Sequence, residues 1–458
     1  MPLRLVAQLM GIFLFVCAVA HAQILPRVPT DAERQSMDDS VNTGEYVWEC
    51  YPDLAGFTAA PPTSSRFPGE FEQTRGILLA FPPGGCAIPE VTDLIRNSIG
   101  NVETTVFVVG PPYGMTYYNE AVNCLRSRGF TDDDLAFINW YLVPIMISPA
   151  ELVVWIRDYG PEILIGADGA FQYIDMGYYS GPAAGTCTNF GGRPNSDVSP
   201  TRLAPNFLGG VDVFRPQLRT EGGNLQTDGR GTCVHMQRDV LAQNRFSRWS
   251  YSQEQLDAVY TQYFNCQNVI TLESLRSDPQ PGLASFSQTN IDHVDMFMTF
   301  ISPTKVLLGQ MDPEDAAFDP ANAAILDRNA QTMQDNGYNV VRIPMPRRYC
   351  TRNNGGCIAN PGEAQDCAPG AVRVWATYAN SIRIGNKMMV PVYRQVPSSV
   401  QDAIAAQEAV ALATFQNELD AEYGPGTVQV VPLIGDPLIP CLGSVHCISM
   451  TYGPPAAP

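Results

Sequence analysis

The stretch EFEQTRGILLAFP at residues 70–82 begins with polar residues and continues as an apolar run that ends at proline. A short run of this kind, bounded by polar and turn-forming residues, predicts a buried β-strand over 76–81. Residues 104–109 form a second such run, and residues 89–97 between them have the apolar spacing of a helix. Strands that alternate with helices predict an α/β chain.

The same alternation continues toward the C-terminus. Asp319-Pro320 provides an N-cap and a first-turn proline for a helix, and Ser252 with Gln255 has the spacing of a capping box. Ser399 with Asp402 predicts another capping box, for a long helix that follows. Apolar runs predict further strands at residues 340–343, 388–393 and 428–433.

The composition is that of a globular chain with an acidic surface. Of 458 residues, 45% are hydrophobic and 16% are charged, which provides ample material for a core. There are 28 Lys and Arg residues against 46 Asp and Glu residues, and the formal net charge is −18. Binding to a phosphate backbone requires clustered Lys and Arg, so we expect no nucleic-acid partner. An acidic field attracts cations, so a cationic substrate is compatible with the composition.

Residues 1–22 have the features of a secretory signal peptide. Arg4 supplies the positive end, residues 5–20 are mostly apolar, and Ala20-His21-Ala22 fits the small-x-small cleavage pattern. An uncleaved anchor helix is the alternative, which the short apolar run disfavours. We therefore expect a secreted or periplasmic protein that starts at Gln23 and has no membrane span. Residues 23–65 are polar and proline-rich, which predicts an extended N-terminal arm before one domain at 66–458.

The number of cysteines is informative in an exported protein. One of the 12 cysteines, Cys17, lies in the expected signal peptide, which leaves an odd number in the mature chain. Most are expected in disulfides, and at least one unpaired thiol is a candidate for reactivity. The cluster Cys350, Cys357 and Cys367 predicts a local disulfide. A zinc site there is disfavoured because the spacings are not C-x-x-C, so no metal is expected.

Four polar clusters interrupt apolar surroundings. They are WIRDYGP at 155–161, EGGN at 221–224, DHVDMF at 292–297 and GSVHCIS at 443–449. Taken separately, each is typical of a structural feature: a buried ion pair, a glycine turn, a satisfied His–Asp pair and half of a disulfide. His293 and Asp295 are two residues apart, so on a strand they would share one face.

Together and in this order, the clusters resemble motifs of the guanidino-group-modifying enzymes, the pentein superfamily. Within it they are most similar to those of bacterial peptidylarginine deiminases and agmatine deiminases. Residues 70–82 and YANS at 378–381 resemble further motifs, so the resemblance extends from about residue 70 to residue 454. It implies an α/β propeller of five ββαβ-type modules around a pseudo-fivefold axis. The landmarks recur at intervals of 65 to 87 residues, which is compatible with one loop per module: Glu72, Asp158, Gly223, His293, Asn380 and Cys447.

The resemblance also implies catalytic roles. Asp158 and Asp295 match the carboxylates that hold a planar guanidinium, and Cys447 matches the nucleophile that attacks its central carbon. His293 matches the group that protonates the departing ammonia and then activates the water that hydrolyses a covalent thiouronium intermediate. Neither a cofactor nor a metal is required by this chemistry.

Three further residues match substrate-binding positions. Trp155 and Asn380 correspond to residues that line the pocket. One enzyme type in the family holds a substrate carboxylate with two arginines, and Arg193 matches one of them. A preference for C-terminal or internal arginine is left open, because the second arginine has no match. His446 is expected to be structural, since sequence neighbours on a strand face opposite ways.

The expected function is that of a secreted peptidylarginine deiminase, which converts arginine side chains of proteins or peptides to citrulline and releases ammonia. An exported deiminase of agmatine or free arginine is the close alternative, with a small guanidino compound as substrate. A cysteine peptidase that uses Cys447 and His293 and a binding protein without activity are further alternatives. Five disulfides would use ten of the mature thiols and leave Cys447 free, in agreement with a nucleophile.

Overall fold

The structure is a computed structural model that describes residues 27, 33, 58–143, 148–149, 152–179, 181–182, 190–207, 212–236, 251–277, 291, 293–351 and 372–453. The expected signal peptide at 1–22 lies outside these residues, as does most of the expected arm at 23–65. No helix within the described ranges combines the length and apolar character that crossing a bilayer requires.

Short strands connected by helices form the framework of the described chain. The strands are β1 (Gly76–Phe81), β2 (Glu103–Val109), β3 (Ile138–Val143), β4 (Glu162–Ile165), β5 (Phe171–Ile174), β6 (Gly181–Pro182), β7 (Phe190–Gly191), β8 (Asp212–Phe214), β9 (Leu225–Thr227), β10 (Thr232–Met236), β11 (Asn268–Leu272), β12 (Met298–Ser302), β13 (Lys305–Gln310), β14 (Asn339–Pro344), β15 (Tyr349–Thr351), β16 (Val372–Val374), β17 (Ile382–Ile384), β18 (Lys387–Val392), β19 (Gln429–Ile434) and β20 (Ser449–Tyr452). The α-helices are α1 (Pro89–Ser98), α2 (Thr116–Ser127), α3 (Asp132–Ala136), α4 (Ile156–Tyr159), α5 (Pro194–Phe207), α6 (Gln253–Tyr263), α7 (Pro313–Phe318), α8 (Pro320–Asp335) and α9 (Ser398–Tyr423).

Five sheets in the described ranges share one pattern of strand pairing. In each, a central strand pairs antiparallel with one neighbour and parallel with the other. A parallel pair needs a long crossover, and a helix lies between the two parallel strands of every one of these sheets. The α/β class predicted from the sequence is therefore confirmed. The five sheets have the strand orders β20-β1-β2-β3, β4-β5-β8, β9-β10-β11, β12-β13-β14 and β17-β18-β19.

The last strand joins the two ends of the domain. β20 pairs antiparallel with β1, so that Gly76 lies opposite Tyr452 and Leu79 opposite Ser449. All six residues of β1 are buried, because β1 lies between β20 and β2 in its sheet. The residues immediately before β20 therefore belong to the first sheet, although they are near the C-terminus of the chain.

Local signals in the sequence located most elements well. β1 covers the predicted residues, and α1 extends the predicted helix by one residue. Asp319 caps α8 by accepting from the backbone N–H of Asn322, and both halves of the Ser252 capping box are formed. The capping box predicted at Ser399 is wrong. α9 begins one residue earlier, after Pro397, and no side chain caps it.

The disulfides include pairs that the sequence could not assign. Cys86 is bonded to Cys124, which ties the segment after β1 to α2. Cys233 is bonded to Cys266, which ties β10 to the end of α6. Cys350, from the predicted local disulfide, is disulfide-bonded, whereas residues 357 and 367 lie outside the described residues. Among the described cysteines, Cys441 and Cys447 are free and buried.

Candidate active site

The residues that carry the expected chemistry occupy equivalent places in the five sheets. Each lies in the short segment that leads into the first strand of its sheet. The landmark Glu72 is not part of this set, because Cys447 takes the equivalent place in the first sheet. The order is Cys447 before β20, Asp158 before β4, Gly223 before β9, His293 and Asp295 before β12, and Asn380 before β17.

Three of these leading segments form a single helical turn. α4 carries Asp158, and 3-10 turns cover Gly222–Asn224 and Val294–Met296. The expectation that His293 and Asp295 share one face of a strand is therefore wrong. His293 precedes a tight turn and Asp295 lies within it, because the strand begins only at residue 298.

The two expected carboxylates bind a guanidinium, and it belongs to Arg27 of the same chain. Nε of Arg27 donates to the two oxygens of Asp158 at 3.2 and 2.9 Å, and Nη2 donates to Asp158 Oδ1 at 2.9 Å. Nη1 and Nη2 donate to the two oxygens of Asp295 at 3.0 and 2.9 Å. Both contacts are the bidentate geometry by which a carboxylate recognises a planar guanidinium.

These three charged groups are almost completely withdrawn from water. Arg27, Asp158 and Asp295 are each at most 1% exposed. Burial alone would favour the neutral forms, so the charges persist only because they are paired. Burial opposes protonation of Arg27, but the charges of Asp158 and Asp295 outweigh burial and raise the pKa of Arg27 above its ordinary value. Burial likewise opposes ionisation of Asp295, yet Arg27 and His446 hold its pKa well below the usual range. The arrangement suits a planar cation.

Gly223 makes room for this cation. A Cβ at position 223 would lie 1.6 Å from Nη2 of Arg27 and 2.9 Å from Oδ1 of Asp158. A side chain at this position would therefore overlap the guanidinium, and only glycine permits such a close approach. The EGGN motif thus has a steric reason that its sequence alone did not reveal.

The Cys447 thiol lies beside the guanidinium site and is held by hydrogen bonds. Nδ2 of Asn380 donates to Sγ at 3.1 Å, and the backbone N–H of Ser444 donates to it at 3.3 Å. Sγ lies 3.6 Å from Oδ2 of Asp295. Burial raises the pKa of the Cys447 thiol well above its ordinary value, and the charge of Arg27 opposes this effect. A cation in the site therefore favours the thiolate, which is the nucleophilic form.

Asn380 is placed against Cys447. Its Oδ1 accepts from Cys447 Sγ at 3.3 Å and from the backbone N–H of His446 at 3.1 Å. Its Nδ2 also donates to the backbone oxygen of Asp295, at 3.3 Å. Asn380 was expected to line the substrate pocket, and these contacts connect three parts of the site. It therefore orients Cys447.

The His293 imidazole lies between two carboxylates. Its Nδ1 is 3.7 Å from Oδ1 of Asp158, and its Nε2 is 3.4 Å from Oε2 of Glu221. His293 therefore lies beside the carboxylate that holds the guanidinium. Glu221 also accepts from the hydroxyl of Tyr179. The sequence assigned no role to Glu221, and its contact with His293 makes it a positioning residue.

The second histidine, His446, takes part in the site network. Its Nδ1 is 2.8 Å from Oδ2 of Asp295, and its Nε2 is 2.6 Å from Oε2 of Glu70. The expectation that His446 faces away as a strand neighbour does not hold, because β20 begins only at residue 449. Burial and Arg157 oppose protonation, but Glu70 and Asp295 raise the pKa of His446 above its ordinary value.

The WIRDYGP cluster divides its charges between two networks. Arg157 forms an ion pair with Glu70 and donates from Nε to the backbone oxygen of Ser449 at 3.0 Å, whereas Asp158 faces Arg27. Burial opposes ionisation of Glu70, but Arg157 and His446 lower its pKa to about 2. Arg157 therefore connects α4 to the first residue of β20.

Trp155 and Arg193, two of the expected substrate-binding residues, are both buried in the domain. Trp155 is fully buried, and a Cβ on Gly443 would lie 2.5 Å from its ring. The indole thus packs against the loop that carries Cys447. Arg193 is fully buried and donates from Nε to Oε1 of Glu33 at 2.6 Å and from Nη2 to Oε2 at 3.1 Å. It holds a carboxylate, and that carboxylate is on the same chain.

A search of the described residues finds no group of three or more His, Cys, Asp or Glu side chains placed to hold a metal ion.

Comparisons with known proteins cover most of the chain. The family model of the Porphyromonas-type peptidyl-arginine deiminases matches residues 66–453. An agmatine deiminase of Pseudomonas fluorescens is 25% identical over 312 residues, which cover 66% of this chain and 74% of that relative.

Two solved structures show the same fold. The agmatine deiminase of Enterococcus faecalis has a TM-score of 0.59 at 17% identity, over 87% of this chain and 99% of that one. The agmatine deiminase of C. jejuni has a TM-score of 0.56 at 13% identity, over 84% of this chain and 95% of that one.

Arg27 and Glu221 are the site residues that sequence reasoning missed. Glu221 stood within a recognised motif, and its proximity to His293 depends on how two sheets meet. Arg27 stands in a polar, proline-rich stretch with no periodic pattern. No local signal in the sequence distinguishes it from the other arginines of the chain.

Proposed function

Because the chain belongs to the Porphyromonas-type peptidyl-arginine deiminase family, we propose that it hydrolyses the guanidino group of peptide-linked arginine to citrulline and ammonia. The chain is an enzyme, a hydrolase that acts on guanidino C–N bonds. Peptide-linked arginine as its substrate is the proposal. The observation that carries it is that the guanidinium held by Asp158 and Asp295 belongs to an arginine within a polypeptide.

The placement of Arg27 supports a substrate with chain on both sides. Its backbone N–H donates to the carbonyl oxygen of Cys441 at 2.9 Å, while its side chain reaches the two aspartates. Arg27 has residues on both sides in the chain, which supports an internal arginine as the substrate. A free amino acid or agmatine would lack the amide that makes the backbone contact.

The first step uses Cys447 as nucleophile. The two aspartates hold the guanidinium planar and charged, and that charge lowers the thiol pKa toward the reactive form. Sγ attacks the central carbon, and His293 donates a proton to the nitrogen that leaves as ammonia. A thiouronium remains on Cys447.

The second step hydrolyses this intermediate. His293, now neutral, accepts a proton from water, and the oxygen adds to the central carbon as the C–S bond breaks. Glu221 and Asp158 lie on opposite sides of the His293 ring and orient its two nitrogens. As the C–S bond breaks, the added oxygen of the ureido product gives up its remaining proton to ammonia, which becomes ammonium. The thiolate and the protonated histidine are thereby restored.

We further propose that the five sheets are arranged around a pseudo-fivefold axis as a propeller of ββαβ-type modules. Their common pairing pattern and the equivalent places of the site residues support this arrangement. We also propose that the protein is exported, on the basis of the signal-peptide pattern at 1–22 and the disulfides Cys86–Cys124 and Cys233–Cys266.

A deiminase of agmatine or free arginine is the second candidate. The relative from Pseudomonas fluorescens and the structures from Enterococcus faecalis and C. jejuni carry the name agmatine deiminase. The guanidinium contacts described above would serve such a small substrate equally well. The two candidates differ in what lies beyond the guanidinium, which an assay with matched substrates can separate.

The test compares peptides with an internal arginine, peptides with a C-terminal arginine, agmatine and free arginine at equal concentration. Deimination replaces =NH by =O, a gain of about 1 Da that mass spectrometry detects. We expect the internal-arginine peptide to have the highest kcat/KM, and Cys447→Ala to abolish the gain on every substrate. Turnover of agmatine alone would favour the second candidate, and new peptide termini would indicate a peptidase instead.

A further inference from the structure

Two buried ion pairs attach the N-terminal part of the chain to the domain. Arg27 is paired with Asp158 and Asp295, and six residues later Glu33 is paired with Arg193. Arg27 is 1% exposed and Glu33 is 6% exposed, so both side chains are enclosed by the domain. Buried charges of this kind need partners of opposite sign. Arg27 and Glu33 find these partners in the domain, at Asp158, Asp295 and Arg193.

The pair at Glu33 is a built site. Arg193 approaches both oxygens of Glu33, and its guanidinium also lies 5.0 Å from the ring centre of Tyr179 and 5.6 Å from that of Tyr178. The hydroxyl of Tyr178 accepts from Nη1 of Arg193 at 2.9 Å. Bidentate pairing and aromatic faces together fix the planar guanidinium. The contact fixes the chain six residues after Arg27, which limits how far Arg27 can move from the pocket.

We infer that Arg27 is a self-modification site, and that Cys447 of the same chain converts it to citrulline. This inference rests on the proposed function, because it assigns Arg27 as the first substrate of that reaction. Arg27 has the features required of a substrate: both aspartates hold its guanidinium, Gly223 leaves it no spare room, and its charge acts directly on Cys447.

The chemistry is balanced by one water molecule. A bond forms between Cys447 Sγ and Cζ of Arg27, and the bond from Cζ to one terminal nitrogen breaks as that nitrogen takes a proton from His293 and leaves as ammonia. Water then supplies the oxygen on Cζ, the C–S bond breaks, and the protons return to His293 and to the ammonia. The net change is arginine plus water to citrulline plus ammonium.

The modification would also release the N-terminal part from the site. Citrulline is neutral, so the two charge-assisted contacts to Asp158 and Asp295 are lost and the carboxylates are left without a cation. A new guanidinium substrate restores the balance by displacing residue 27. Activity toward added peptide should therefore appear after a lag whose length equals the time of Arg27 conversion.

The test follows residue 27 in newly made protein. The full chain is produced by cell-free translation in H2¹⁸O, and the peptide that contains residue 27 is analysed by mass spectrometry at successive times. We expect a gain of about 3 Da at residue 27, from one ¹⁸O in place of nitrogen, and no gain in Cys447→Ser. To test for reaction within one chain, ¹⁵N-labelled Cys447→Ser protein is mixed with unlabelled wild type, and its Arg27 should stay unmodified.

Two variants complete the test. Glu33→Gln should slow conversion of Arg27 roughly tenfold or more by removing one charge-assisted attachment, while turnover of added peptide is retained. Arg27→Lys should abolish the lag, because a lysine ammonium cannot make the paired bidentate contacts that hold Arg27 between the two aspartates. An unmodified Arg27 in an enzyme that converts added peptide would overturn the inference and leave the proposed function intact. No conversion of Arg27, peptides or agmatine would overturn both, and modification of the ¹⁵N-labelled chain would overturn reaction within one chain.

Discussion

Nδ1 of His446 lies 2.8 Å from Oδ2 of Asp295, the same carboxylate whose two oxygens accept hydrogen bonds from Arg27. The imidazole therefore affects the guanidinium site through the carboxylate of Asp295. On its other side His446 contacts Glu70, which is paired with Arg157. A chain of alternating charges thus runs from Arg157 to the cation in the site, and a change at any member alters the charge balance of Asp295.

The first prediction concerns the pH dependence of stability through His446. Its pKa is raised by Glu70 and Asp295, so the native state keeps a proton that the unfolded state has already lost. The stabilisation is complete below the ordinary histidine pKa and is lost as pH rises through the raised value. His446→Gln should remove this loss. The check is the melting temperature of wild type and variant between pH 6 and pH 9.

His235 provides a matched control with the opposite sign. Burial lowers its pKa to about 4, so the unfolded state takes up a proton first as pH falls. His235→Gln should flatten the acid side of the stability profile and leave the alkaline side unchanged. An identical change of profile in both variants would contradict the assignment of the raised pKa to His446.

The second prediction concerns Asp158. Asp158→Asn removes a charge that makes three contacts with a guanidinium, and it leaves Asp295 as the remaining carboxylate there. Charge-assisted contacts in a buried site are strong, so we expect kcat/KM to fall by about 100-fold or more. Asp168→Asn, in an exposed turn where the carboxylate accepts from the N–H of Ala170, should leave kcat/KM unchanged. Equal activity of both variants would exclude Asp158 from substrate binding.

The third prediction concerns Gly223. Gly223→Ala places a methyl group where Nη2 of Arg27 lies, so the guanidinium can no longer enter fully. We expect turnover of arginine peptide to be lost and the cooperative unfolding transition to be retained. Circular dichroism and activity on the same sample provide the check. Full activity of Gly223→Ala would show that the reacting guanidinium lies elsewhere.

The fourth prediction concerns the thiol pKa of Cys447. Burial raises this pKa and the charge of Arg27 lowers it, so Arg27→Gln should move the pH profile of Cys447 alkylation to higher pH than in wild-type protein that still carries unmodified Arg27. The midpoint of the profile is compared, since the rate itself also reports access to the site. Cys441→Ser removes the other free thiol among the described residues and should leave the midpoint unchanged. A shift to lower pH would contradict the proposed effect of the cation.

The parts of the fold that the sequence predicted are those with local causes. β1, α1 and the capped starts of α6 and α8 follow from apolar runs, capping side chains and first-turn proline within a few residues. The pairing of β20 with β1 has no local signal, because the paired residues are at least 370 positions apart in the chain, as for Leu79 and Ser449. The capping box predicted at Ser399 is wrong because the helix begins at Ser398, directly after Pro397. Ser399 therefore lies inside the helix and cannot cap its start.

The same distinction explains the site. The aspartates, His293 and Cys447 could be proposed from the resemblance of motifs, and the equivalent positions before the first strands bring them together. Arg27 could not be found in this way, because its role comes from tertiary contacts with Asp158, which is 131 positions away in the chain, and with Asp295, which is 268 positions away. The sequence predicted that His446 lies on a strand, but that strand starts three residues later.

The central claim is that Cys447 attacks a guanidino carbon held by Asp158 and Asp295, and the most direct measurement is covalent trapping. Protein with Arg27→Lys is treated with a haloacetamidine, an electrophile that resembles a guanidinium, and the labelled peptide is identified by mass spectrometry. We predict labelling of Cys447, protection by an arginine peptide, and much slower labelling in Asp158→Asn. Labelling of Cys441 instead, or labelling of Cys447 that neither the peptide nor Asp158→Asn slows, would contradict the claim.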